Sequence, residues 1–203
     1  MKIKKIRNII LVTVVFFVSA FLVHGIFSIA GVFYANKAYM HEPSGADITI
    51  VDFNQYGCDL CRIIHPTLIE AMAKDGKVRY IPRIVLSDSD FDSTIVHAVY
   101  AAASQGKFIQ MHNAVYNSWP VETLGELMSI AEQLGLDTAQ LRSDMDSKKV
   151  KQKIQESEDY FAAWKLPGVP AFFIDKKIRY MPNRSEMPTV DTWLEKFERV
   201  RNL

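Results

Sequence analysis

Cysteine is almost absent: the 203-residue chain has two, Cys58 and Cys61, three positions apart in "VDFNQYGCDLC". Two cysteines exclude a multi-bridge disulfide framework and a four-cysteine zinc site. A surplus of charge is missing too, since 24 basic and 23 acidic residues leave a net of +1. That balance is uneven along the chain. Residues 1–36 hold Lys2, Lys4, Lys5 and Arg7 and no acid, so the remainder carries 20 basic against 23 acidic residues. A mildly acidic body without a basic stripe argues against nucleic-acid binding. No internal repeat and no low-complexity block interrupts the chain.

Charge is wholly missing from Ile9–Tyr34, "IILVTVVFFVSAFLVHGIFSIAGVFY", with His24 neutral. A bilayer-spanning helix needs about 20 apolar residues, whereas the apolar region of a cleaved signal peptide has roughly 7–15. "YANKA", around Ala35 and Ala38, is a poor cleavage site. The reading is an uncleaved single-pass signal anchor over residues 9–34, behind a basic cytoplasmic tail, residues 1–8. The positive charges stay inside and everything after Lys37 lies outside. In a bacterium that means the inner membrane with the body in the periplasm, where disulfides persist. "KAYMHEPSGA" then belongs to a polar linker over 35–46, ahead of one domain at 47–203.

From Asp47 the pattern runs strand, helix, strand. "ITIVDF" is a continuous β-branched and aromatic run, as expected of a buried central strand. A helix beginning near Cys58 carries Ile63, Ile64, Leu68 and Met72 on one face and is closed by Gly76. "KVRYIPRIVL" is a second strand, and Pro82 marks it as an edge or a bulge. A helical block at about 90–165 follows, with caps expected at Asp92-Ser93, Asp137 and Asp146-Ser147. "PAFFID" and "KIRYM" read as paired strands before a last helix from about Val190. The fold class is α/β, a mixed central sheet with an inserted helical subdomain.

The cysteine pair has several readings. As a staple it closes too small a loop to restrict the unfolded chain much. As a zinc site it lacks partners, because His65, His97 and His112 show no ligand-like spacing. Haem attachment would need a histidine where Arg62 stands. A two-thiolate Cu(I) clip stays open as the alternative, a copper-handling protein. A redox dithiol fits the context better. The pair sits where a buried strand turns into a helix, whose amides and dipole stabilise a thiolate at Cys58. Cys61, one turn on, is placed to attack a mixed disulfide at Cys58.

"VDFNQYGCDLC", Pro66 five residues after the second cysteine, and "GVPAFFID" together resemble the thioredoxin superfamily. The helical block, with "QGKFIQMHNAVYNS", is similar to the DsbA-like branch of secreted thiol–disulfide oxidoreductases. The resemblance implies a thioredoxin fold over nearly all of residues 47–201, and an enzyme that needs no cofactor. It implies thiol- or disulfide-bearing proteins as substrates, with a membrane redox partner to recycle the pair. It implies that Val169-Pro170 is the cis-proline step facing the cysteines and holding substrate backbone. It makes Pro66 a helix kink, and Asp52 the buried acid that exchanges protons with Cys61. A carboxylate within an apolar strand is costly, and its pKa should rise.

The chain departs from that branch at Gly57, where an aromatic is common, and at the Asp59-Leu60 dipeptide that tunes the pair. At an effective dielectric of about 20 and roughly 6 Å, a negative Asp59 opposes a Cys58 thiolate by on the order of 3 kcal/mol before screening. A less oxidising pair is therefore expected, tilted towards reduction or isomerisation.

Overall fold

The structure, a computed structural model, describes residues 31–203. Most of the expected membrane anchor, residues 9–30 of it, lies outside the described residues. Among those described, no helix is long and apolar enough to cross a membrane.

Four strands form one sheet in the order β2-β1-β3-β4. They are β1 (Ile48–Asn54), β2 (Val78–Ile84), β3 (Ala171–Ile174) and β4 (Ile178–Tyr180). β2 runs parallel to β1, whereas β3 runs antiparallel to both β1 and β4, so the sheet is mixed. Pro82 sits on an edge strand, where its missing N–H costs no ladder bond on the outer side.

α1 (Asp59–Asp75) links β1 to β2, and α7 (Val190–Arg201) ends the fold. Successive side chains of a strand point to opposite faces, so β1 serves two cores. Ile48 and Ile50 pack with Ile64 and Leu68 of α1 and with Trp193 and Phe197 of α7. Val51 and Phe53 pack with Ile81, Phe173 and Leu166 on the other face. Asp52 has the parity of Ile48 and Ile50, and so faces the α1 layer.

The inserted block contains α2 (Asp90–Ala101), α3 (Phe108–Asn117), α4 (Leu124–Gln133), α5 (Thr138–Met145) and α6 (Lys148–Ala163). Its own core of Val99, Phe108, Met111, Leu127 and Leu141 is continuous with Cys61 and Ile84. α2 starts earlier than expected. Ser89 caps it by accepting from Asp92 N, and this frees the Asp92 carboxylate for another contact. Asp137 and Ser147 cap α5 and α6.

The segment before β1 is less separate than its polarity suggested. Tyr39 is buried within a short 3-10 turn, and His41 pairs with Tyr80 through two 2.9 Å backbone hydrogen bonds. Val32 and Phe33, assigned from sequence to the apolar span, are buried against the sheet. Arg83 holds them there by donating to the carbonyls of Val32 and Tyr34 at 3.0 and 2.7 Å. Charge-assisted bonds from a buried guanidinium explain why an apolar stretch leaves its run and joins the domain.

Candidate active site

β1 ends at Asn54, and the loop that follows delivers Cys58 to the N-cap of α1. Its backbone is extended, at φ −89° and ψ 107°, so the side chain turns back over the first turn. Cys58 Sγ accepts the amide of Cys61 at 3.1 Å. Cys58 and Cys61 are joined as a disulfide, with Cα atoms 5.3 Å apart. Cys61 is buried and Cys58 only partly so, which sets their order of attack: an incoming thiolate reaches Cys58 first. When the bond opens, the amide and the positive helix end stabilise a thiolate on Cys58.

The Val169–Pro170 peptide is cis, and the Val169 carbonyl oxygen lies 3.9 Å from Cys58 Sγ. Leu60 packs into the core shared by α1 and α7. Beside it, a groove of 480 Å³ runs along α1, lined by Ile63, Thr67, Met187, Pro188 and Val190. Ile63 and Met187 are exposed apolar side chains in its wall.

Asp59 is exposed and paired with cations. Its carboxylate accepts from the Arg62 guanidinium at 2.7 Å, with Arg184 at 3.8 Å, and its side chain is 58% exposed. Arg62 in turn lies over the Trp119 ring, 5.7 Å from its centroid. The expected opposition between Asp59 and a Cys58 thiolate is therefore reduced by adjacent cations and by water. Gly57 has a steric reason: a Cβ there would collide with the Asp92 carboxylate, which also accepts from Ser87 Oγ at 2.8 Å. The loop is also tied to the segment after β2, where Gln55 donates to the Leu86 carbonyl.

Beneath the pair lies a buried polar network. Asp52 is 3% exposed, and burial pushes its carboxyl up to about 7, partly offset by the hydroxyl of Tyr80, which donates to Oδ2 at 2.7 Å. The second oxygen, Oδ1, has no hydrogen-bond partner. Tyr80 Oη also meets His112 Nε2 at 3.1 Å, and His112 Nδ1 meets Tyr56 Oη at 2.9 Å. His65 Nε2 meets Asn113 Oδ1 at 3.1 Å, and its ring stacks on Tyr116. Burial lowers His65 to about 4, and burial followed by the neighbouring His65 lowers His112 well below its ordinary value. Both rings are neutral at pH 7.

Asp52, His65 and His112 thus converge, with one donor atom from each within 4.8 Å of the others. Their separation along the chain concealed this. The donors are already engaged, however, since both nitrogens of His112 are held by tyrosines and Nε2 of His65 by Asn113. A metal would have to break those bonds in a closed interior, so the set suits proton chemistry better than ligation. Arg62, Trp119, Tyr80 and His112 were all missed from sequence. Tyr80 and His112 had one legible signal, a polar group repeated on an otherwise apolar face.

A DSBA-like thioredoxin domain model matches residues 67–194, well over half of the chain, and begins after the cysteine pair. Among curated proteins, the chain is 25% identical over 153 residues to "Na(+)/H(+) antiporter NhaA 3" of Salinispora tropica, covering 74% of this chain and 24% of that protein. The chain thus spans about a quarter of the length of that relative. It is also 25% identical over 167 residues to "Probable disulfide bond formation protein D" of Bacillus anthracis, covering 74% and 76%. Among solved structures it is similar to a thioredoxin-like oxidoreductase from Silicibacter pomeroyi, with TM-score 0.74, 23% identity, and 85% and 97% coverage. It is likewise similar to the thiol-disulfide exchange protein alpha-DsbA2 from Wolbachia pipientis, with TM-score 0.74, 16% identity, and 87% and 94% coverage.

Proposed function

We propose that this chain, which belongs to the DsbA-like family of thiol–disulfide oxidoreductases, donates its Cys58–Cys61 disulfide to protein thiols while tethered to the bacterial inner membrane, with its catalytic domain in the periplasm. A substrate thiolate attacks Cys58 Sγ, the bond to Cys61 breaks, and a mixed disulfide forms. Cys61 leaves as a thiolate and takes a proton from Asp52. A second substrate thiol resolves the mixed disulfide, leaving the protein as a dithiol that a membrane partner reoxidises.

The observation that carries this direction is the Arg62–Asp59 ion pair at 2.7 Å. It weakens the reason, drawn from sequence, to expect a weakly oxidising pair, while the Cys61 amide still stabilises the Cys58 thiolate. The name of the Bacillus anthracis relative, "Probable disulfide bond formation protein D", agrees with this direction. Val169 and Pro170 hold the substrate backbone beside Cys58, and the groove along α1 receives an apolar residue of the substrate. The uncharged run of residues 9–30, behind four basic residues, supports the membrane tether.

Equilibration of the pair against glutathione tests the direction. A reduction potential near about −120 mV fits a disulfide donor, while a value between about −180 and −270 mV overturns donation in favour of reduction or reshuffling.

A further inference from the structure

Beneath the cysteines, Asp52, Tyr80, His112 and Tyr56 form an unbroken line of hydrogen bonds drawn from β1, β2, α3 and the loop before Cys58. The distances are 2.7, 3.1 and 2.9 Å. With Asp52 ionised, hydrogen-bond valence fixes the direction of the line. Tyr80 has one proton and gives it to Asp52 Oδ2, so its oxygen can only accept from His112. His112 must then carry its proton on Nε2, which leaves Nδ1 to accept from Tyr56. Every donor points towards Asp52. Oδ2 accepts the line, and Oδ1 is buried without a partner among the described residues.

We infer that Tyr80 and His112 are positioning residues for proton transfer at Cys61: the one-way line from Tyr56 to Asp52 Oδ2 locks His112 as the Nε2–H tautomer and reserves Asp52 Oδ1 as the oxygen that exchanges the proton. In the donor direction, Oδ1–H gives its proton to the Cys61 sulfur as the Cys58–Cys61 bond breaks, and Asp52 is left as a carboxylate. Tyr80 O–H then stabilises that carboxylate, and His112 N–H strengthens Tyr80 as a donor. In the reverse direction the proton returns to Oδ1, and the line keeps its polarity. The titratable groups around Asp52 are His65 from α1, Tyr80 from β2, His112 and Tyr116 from α3 and Tyr56 from the loop, and Cys61 lies in the first turn of α1, the helix layer that Asp52 faces. β3 contributes apolar Phe172 opposite Asp52. Among the described residues no cation stands with these groups, so the ionised acid is stabilised first by the Tyr80 hydroxyl at the end of the line and then by Asn54.

The inference rests on Asp52 as the proton partner of Cys61, and the tests separate the two. In the full-length protein, the rate of resolution of a Cys58 mixed disulfide with glutathione by Cys61 is followed from pH 5 to 10. That reading requires a wild-type midpoint near the Asp52 value of about 7, removed by Asp52→Asn; if neither is seen, both ideas fall. With that midpoint in place, Tyr80→Phe should move it up by about one unit or more. Resolution would then slow about fivefold at pH 7 and recover at pH 9 to 10. An unmoved midpoint in Tyr80→Phe overturns the positioning role alone. Nitrogen-15 NMR of the histidines in the wild-type protein decides the matter even if the variant does not fold. His112 should be a neutral Nε2–H tautomer down to pH 5, and an Nδ1–H tautomer would refute the line.

Discussion

Asp52→Asn in the oxidised protein exposes the energetic cost of the site. Asp52 is buried, and its carboxyl rises from an ordinary 3.8 to about 7, chiefly through burial. Its folded pKa lies above its unfolded one, so its stabilising contribution is complete below about pH 4. That contribution is lost as pH rises through 7. Three units at 1.36 kcal/mol each amount to about 4 kcal/mol. Wild type should therefore lose about 4 kcal/mol against the asparagine variant between pH 4 and 8.5. The substituted amide would keep an oxygen for Tyr80 and so limit other losses. His65 acts in the opposite sense, because its folded value of about 4 lies below the ordinary 6.5. Its contribution is present above pH 6.5 and lost as pH falls towards 4. His112, also lowered by burial, acts in the same sense as His65, so in wild type the histidines oppose the Asp52 trend, and the difference between wild type and variant isolates Asp52. Urea unfolding of both oxidised proteins across that range measures it. A difference that changes by less than about 1 kcal/mol, or that turns over near pH 4, would refute the assignment.

Arg62→Ala should uncover the charge of Asp59 and lower the reduction potential of the pair, while Arg62→Ala/Asp59→Asn restores it; glutathione equilibration reads both. Gly57→Ala should push the Asp92 carboxylate aside and break its bond from Ser87, costing the oxidised protein about 1 kcal/mol or less, and Asp92→Ala should relieve most of that loss in a double-mutant cycle. Arg201 pairs with Asp47 and Asp75 at 2.7–2.8 Å, joining α7 to the start of β1 and the end of α1. Arg201→Ala should cost about 2 kcal/mol in urea unfolding without slowing exchange at Cys58.

The outline of the fold was legible because local signals agreed with the tertiary structure. The uninterrupted apolar run of β1, Gly76 in a left-handed cap at φ 75°, and Pro82 on an edge strand each carried their own signature. The cysteine pair was legible through its spacing and its place at a strand-to-helix turn. Three features were not. Asp59 looked like a neighbour of the thiolate in sequence, but it is exposed and its charge is paired with Arg62. The link between Asp52 and His112 runs through Tyr80 across distant parts of the chain, and no periodicity reports contacts between elements so far apart. The segment around Tyr39 and His41 read as a linker because its polarity was local, whereas its binding comes from Tyr80 and the aromatic cluster of the inserted block.

The central claim is that Cys58 exchanges with substrate while buried Cys61 resolves. Reduced Cys61→Ser and Cys58→Ser proteins can each be mixed with a peptide carrying an activated disulfide, and the adducts located by mass spectrometry. Cys61→Ser should accumulate a stable mixed disulfide on Cys58, and Cys58→Ser should trap little or none. Equal trapping in both variants, or trapping through Cys61 alone, would contradict the account.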